Sequence, residues 1–268
     1  MMTREIIRAG LPIIYRPGDI HSSTKAGEAA RAPKASETTA AAIVSDIVSL
    51  GLRHGDRLPA ESDMLANYSV SRESLREALR ILEVQGLITL KRGPGGGPFV
   101  SALNASYLAR TATLYFHLAG ATYDEVFDTW KLLEPQLAAK VARIDDRKTK
   151  ETAFARFLDH DVEALRDNEI LGELTNFHAV IAELSGNRVL TLLTQAIDHI
   201  VVEHVLTAGR DTTAGDDAMR HDHADIARAI IAGRPRKAET LMHDHISEVV
   251  ERFRKRHPER SDELVQWM

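Results

Sequence analysis

The sequence predicts a mainly α protein, with three short helices and a β-hairpin leading into an all-helical bundle. Three observations carry that expectation. Apolar residues recur at helical spacing along most of the chain, and glycines and N-capping residues cut the pattern into segments. The third is a pair of β-prone runs, "LITLKRG" and "PFVSA", around the glycine-rich tip "PGGG". Beyond Leu103 no strand pattern of any length follows, so the sheet content is confined to that hairpin.

Composition sets the limits. A chain of 268 residues with 44% hydrophobic and 27% charged residues can bury two ordinary cores. It contains no cysteine, which excludes disulfides, thiolate-bound zinc and thiol catalysis and leaves histidines and carboxylates as the available metal ligands. No apolar run approaches the roughly 20 residues that span a bilayer, and the opening "MMTREIIRAGLPIIYRPGDIHSS" carries charge too early for a secretory signal. A cytoplasmic protein without a membrane partner is expected. The net charge of −5 gives no general affinity for nucleic acid, so any such reading must rest on local pattern.

Residues 1–36 mix Gly, Pro, Ser, Lys and Arg without periodicity and are expected to form a flexible arm. In "SETTAAAIVSDIVSLGL", Ile43, Ile47 and Leu50 keep helical spacing up to Gly51. "LPAESDMLANYS" makes a second helix with Pro59 near its start, and "VSRESLREALRILEVQGL" a third, capped by Ser71 and closed by Gly86. The hairpin follows. Together these define a domain over 37–102. Amphipathic segments at roughly 104–119, 123–143, 148–167, 170–185, 188–208, 216–232 and 234–255 then fill an all-helical domain over 103–257, with 258–268 as a C-terminal tail.

The third helix holds the first candidate site. Leu75, Ala78, Leu79 and Leu82 form an inward stripe, and Arg72, Arg76 and Arg80 stack along its flank at successive turns. A helix that presents arginines after a short turn fits the major groove, where Arg pairs bidentately with guanine. The interleaved Glu73, Glu77 and Glu83 allow a plainer reading, a solvated salt-bridged face. The hairpin weighs toward DNA: Lys91 and Arg92 flank a narrow tip suited to a phosphate backbone or minor groove. A phosphate-binding loop is excluded, because no Gly-Lys-Ser/Thr and no helix N-terminus follow the glycines.

The run "GDRLPAESDMLANYSVSRESLREALRILEVQGLITLKRGPGGGPFV" resembles the winged helix-turn-helix domain of GntR-family transcription regulators. By that resemblance Arg72 and Arg76 contact operator DNA, Ser71 and Ser74 lie beside them, and the wing places Lys91, Arg92, Gly95, Gly96 and Gly97 at the groove. Ser62 stands where many members carry an arginine. The remainder, through "LLEPQLAAKVA", "NFHAVIAELSGNRVL", "HADIARAI" and "AETLMHDH", resembles the ligand-binding FCD domain of the FadR subfamily.

The triplet "HDH" at 221–223 recurs at 243–245. Residues two apart on a helix are turned by about 200°, so one histidine of each triplet faces inward. His223 is in phase with Ile226 and Ile230, His245 with Leu241 and Val249, and His178 with Leu174 and Ile181; His221 and His243 point outward. Three inward imidazoles on three helices either converge on a divalent cation, zinc or nickel among the choices, or are core histidines satisfied by hydrogen bonds. The same three positions match the histidines of metal-binding FadR-subfamily members. Leu174 stands where those members have an aspartate ligand, which leaves the fourth place to water, an effector oxygen, Asp128 or Glu134. Trp130 stands where an arginine often grips an effector carboxylate four residues before the position of Glu134, so an aromatic or more apolar effector enters consideration.

The resemblance therefore implies a homodimeric, effector-responsive DNA-binding regulator of a palindromic operator, and not an enzyme. Two other classes remain: a three-histidine metallohydrolase, which lacks a recognisable general base, and an oligomerising scaffold.

Overall fold

A computed structural model of the chain describes residues 33–158, 167–206, 216–258, 260 and 262–268; of 167–175, 205–206 and 216–220 it describes the backbone alone. The expected arm lies almost wholly outside the described residues, as does the side chain of Leu174. The chain divides into two compact units that part between Tyr107 and Leu108.

In the first unit, α1 spans Ala35–Ser49, α2 Glu61–Tyr68 and α3 Arg72–Val84, followed by β1 (Ile88–Lys91) and β2 (Gly97–Val100). The first helix begins inside the span read as arm because Glu37, three residues into the first turn, takes the Lys34 N–H at 3.1 Å. The turn between α2 and α3 is closed by Ser69 in the left-handed region (φ 52°). Ser71 then caps α3, its Oγ accepting from Ser74 N–H at 3.1 Å. The apolar stripe of α3 packs with Ile43, Leu58, Met64, Ile88 and Val100 into one core.

The hairpin is antiparallel, with Ile88 opposite Val100 and Lys91 opposite Gly97. It has a third member that the sequence reading did not assign. Gly55 N–H and Leu58 N–H donate to the carbonyls of Val100 and Pro98, both at 2.9 Å, and Arg57 bridges Phe99. The "GDRL" lead-in is therefore a strand-like edge of the wing.

The second unit is helical. Its described helices are α4 (Ala105–Ala119), which enters it at Leu108, α5 (Tyr123–Ala142), α6 (Arg147–Phe154), α7 (Asp167–Leu184), α8 (Arg188–Val201), α9 (Asp216–Ile231) and α10 (Pro235–Arg256). Two segments depart from expectation. The helix expected over 148–167 gives way after Phe154 to a 3-10 turn at Ala155–Phe157. That turn eclipses residues three apart, lining Phe154 and Phe157 up with Phe177 in one aromatic cluster with centroids 5.0–6.3 Å apart. The second departure lies at the end of α8, which widens into a π turn over Val202–Leu206.

α5 runs through the bundle, with Phe127, Leu137, Ala138 and Val141 buried. Thr122 and Glu125 form a capping box at its start. Lys150 is buried at its far end, its ammonium 3.4 Å from the Ala142 carbonyl, where a helix terminus favours a cation. The span read as a C-terminal tail pairs back onto the bundle: Leu264 bridges Thr122, and Val265 is fully buried.

Candidate functional site

The N-terminal end of α3 offers Ser71, Arg72 and Arg76 to solvent, with Ser74 half-buried behind them. Arg76 lies 3.8 Å from Glu61 and Arg80 3.9 Å from Glu83. Exposed pairs of this length are worth about 0–1 kcal/mol. They do not prevent the arginines from turning to a stronger anionic partner.

In the wing, Lys91 sits 4.3 Å from the Phe99 ring centroid, and Arg92 and Gly95 are exposed. Gly95 (φ 78°) and Gly97 (φ 129°) hold backbone conformations that other residues rarely adopt. At Gly96 the constraint is space: a Cβ there would lie 2.4 Å from the Lys91 carbonyl. Arg57 braces the same tip, donating to the Gly96 carbonyl at 2.6 Å. Gly96→Ala is expected to destabilise this unit by about 1–3 kcal/mol, the usual cost of overpacking, read as a lowered denaturation midpoint with weakened DNA binding.

In the helical unit, α7, α9 and α10 bring His178, His223 and His245 together. All three are buried, and one nitrogen from each lies within 4.8 Å of the others. The Nε2 atoms of His223 and His245 are 3.1 Å apart. That is less than twice a zinc–imidazole bond of about 2.1 Å, so a single ion can reach both. Phe177 stacks on His223 at 4.0 Å and fixes its plane.

Carboxylates orient two of the rings. His178 Nδ1 donates to Glu134 Oε2 at 2.9 Å, and His245 Nδ1 donates to Asp222 Oδ2 at 3.2 Å. A carboxylate accepts, so each Nδ1 carries the hydrogen and each Nε2 is left as the nitrogen available to a ligand, that of His245 facing His223 Nε2. Burial, with His245 and His178 nearby, holds His223 well below the ordinary imidazole range, and burial also lowers His245. His178 differs. Burial opposes its charge, but the Glu134 carboxylate prevails and raises it.

Glu134 is fully buried, and its Oε1 has no hydrogen-bond partner among the described residues. Next to it, Asp198 of α8 accepts from Trp130 Nε1 at 2.8 Å, and burial together with Glu134 pushes its carboxyl well above the usual range. Glu134, His178 and Asp198 form a second group whose ligand atoms lie within 4.8 Å. Of the two carboxylates weighed for the fourth place, Glu134 is at the site and Asp128 is exposed.

The donor set fits a divalent cation: three imidazoles, two of them kept neutral, and a buried carboxylate oxygen without a partner among the described residues. Sequence reasoning missed Asp198 and Asp222. Asp222 is the middle residue of the first "HDH", and it serves the histidine of the second.

The comparisons with known proteins decide the family. Residues 35–97 match the model of the bacterial regulatory proteins of the gntR family, and residues 125–248 match the FCD domain. The chain belongs to the GntR family. It is similar to the HTH-type transcriptional regulator LutR of Bacillus subtilis (strain 168), 23% identical over 206 residues, which cover 74% of this chain and 91% of LutR. It is also similar to the HTH-type transcriptional repressor NanR of Salmonella newport (strain SL254), 24% identical over 73% of this chain and 76% of NanR. A solved structure described as Streptococcus agalactiae GntR shares the fold, with TM-score 0.56, 24% identity, and coverage of 81% of this chain and 99% of that one. This GntR protein is a DNA-binding transcriptional regulator built from a winged helix-turn-helix and an effector-binding helical domain.

Proposed function

We propose that this GntR regulator is a cytoplasmic, non-enzymatic homodimer of FadR-subfamily type, with its DNA-binding domain over 37–102 and its effector domain over 103–257. Ser71, Arg72, Ser74 and Arg76 read a palindromic operator, and Lys91, Arg92 and Gly95–Gly97 of the wing track the adjacent groove. A divalent ion, zinc or nickel, is held by His178, His223 and His245, with Glu134 and Asp222 orienting the rings. When bound, the ion supplies a positive anchor for an oxygen of a small effector, which also meets Trp130 and Glu134. Among the described residues no helix is long and apolar enough to cross a membrane.

The observation that carries this reading is the buried convergence of three histidine nitrogens beside Glu134 Oε1, which has no partner among the described residues. A ligand regulates only if it binds one arrangement of the DNA-binding heads better than another. The test is to select a duplex from a random pool and titrate it at fixed salt with and without Ni²⁺ or Zn²⁺. A metal-dependent change in affinity supports the reading, and identical affinities contradict it.

Metal uptake also has a predicted sign in pH. The ion needs neutral imidazoles, and His178 is the ring whose proton is held above the ordinary value of about 6.5. Binding therefore releases a proton from His178, and affinity rises with pH until His178 gives it up unaided. Calorimetry in buffers of different ionisation enthalpy reads this release. Glu134→Gln, which removes the charge that raises His178, is expected to diminish it.

A further inference from the structure

The last residues of the chain are held along one face of α4. Val265 N–H donates to the Ala121 carbonyl at 2.9 Å, and the Val265 carbonyl meets His117 Nδ1 at 2.9 Å. Met268 N–H donates to Thr113 Oγ1 at 3.4 Å, and Trp267 lies 5.9 Å from the Arg110 guanidinium. Arg110, Thr113 and His117 sit three and four residues apart, so the segment follows a single stripe of the helix for two turns. In sequence, α4 begins five residues after the wing strand β2 ends.

Tyr123 connects that segment to the histidine site. Gln266 N–H can only donate, and it reaches the Tyr123 oxygen at 3.2 Å; the Tyr123 hydroxyl hydrogen is left for His204 Nδ1, 2.8 Å away. On α5, residues 123, 130 and 134 lie within about 20° of one helical edge. Each carries a cross-link: Tyr123 to His204, Trp130 to Asp198 at 2.8 Å and Glu134 to His178 at 2.9 Å. His204 stands in the π turn that opens where the Val202 N–H is shared between the Asp198 and His199 carbonyls. A slip from π to α hydrogen bonding rotates the following residues by about 100°. That is enough to break the Tyr123–His204 contact.

We propose that residues 262–268 form a strap that reports occupancy of the histidine site to α4, through Trp130–Asp198, the π turn and Tyr123–His204. The π turn is the element with two arrangements, and Tyr123 is the positioning residue that ties it to the strap. This rests on the reading of the histidine cluster as a cation site.

The experiment uses the full chain and Ni²⁺ alone as probe. Calorimetry records Ni²⁺ binding, and hydrogen exchange records the amides of 262–268, with and without the ion. In the unmodified chain Ni²⁺ is expected to change exchange of Val265 and Gln266 by about fivefold or more, the low end of ordinary coupling between sites. Tyr123→Phe keeps the ring and removes the hydroxyl; it is expected to bind Ni²⁺ with unchanged affinity while the strap no longer responds. Ni²⁺ binding with unchanged strap exchange in the unmodified chain overturns the relay, and that comparison needs no variant. A Tyr123→Phe strap that responds like the unmodified one overturns it too. No Ni²⁺ binding at all overturns the cation-site reading first and the relay with it.

Discussion

Replacing His245 by alanine is expected to abolish Ni²⁺ or Zn²⁺ binding in calorimetry. The ring is one of three that face the common centre, its Nε2 is 3.1 Å from that of His223, and Asp222 on the neighbouring helix fixes its tautomer. Asp222→Asn isolates the orienting contribution. The amide is near in size and keeps an acceptor but loses the charge, so affinity is expected to fall by about 10–100-fold, the usual cost of a partner behind a metal ligand. The ordering of the two variants is the informative result. Equal losses would mean that Asp222 holds the ion directly, and no loss in either would leave three packed histidines and no site. Folding is checked by circular dichroism, because a small residue in place of a buried imidazole leaves a cavity.

The second large effect concerns DNA. Arg72→Ala removes the first side chain of the capped helix that the N-terminal unit turns to solvent, and specific operator binding is expected to weaken by about 1–3 kcal/mol with relaxed base preference. Lys91→Ala in the wing should act differently. A phosphate contact carries no sequence information, so affinity should drop nearly uniformly across duplexes, with a shallower salt dependence. Binding profiles over a duplex library separate the two. A uniform loss for Arg72→Ala would move that residue from base reading to backbone contact.

Helical phase made much of this site legible in the sequence. His178, His223 and His245 could be placed inward because each shares the period of its own helix's apolar residues. Their outer partners could not be seen in the same way. Asp222 of α9 reaches across to His245 of α10, 23 residues on, and the link between Asp198 and Trp130 joins residues 68 apart. Such contacts follow from how helices pack and leave no local period. The same limit explains "GDRL", whose edge pairing with the wing exists only once β2 is in place, and the final strap, too short to carry a pattern of its own. The helix expected over 148–167 ended early for a packing reason as well, the demand of Phe154 and Phe157 for the ring of Phe177.

Control of DNA affinity by a cation in the histidine site is tested most directly by one titration. A selected duplex is bound by the unmodified chain and by His223→Ala, each with saturating Ni²⁺ and with chelator, at a single salt concentration and pH. The account predicts that Ni²⁺ changes the affinity of the unmodified chain, by a factor of about 5–150 if the coupling is of ordinary size, and leaves that of His223→Ala unchanged. Equal response of the two proteins, or none in either, would contradict it.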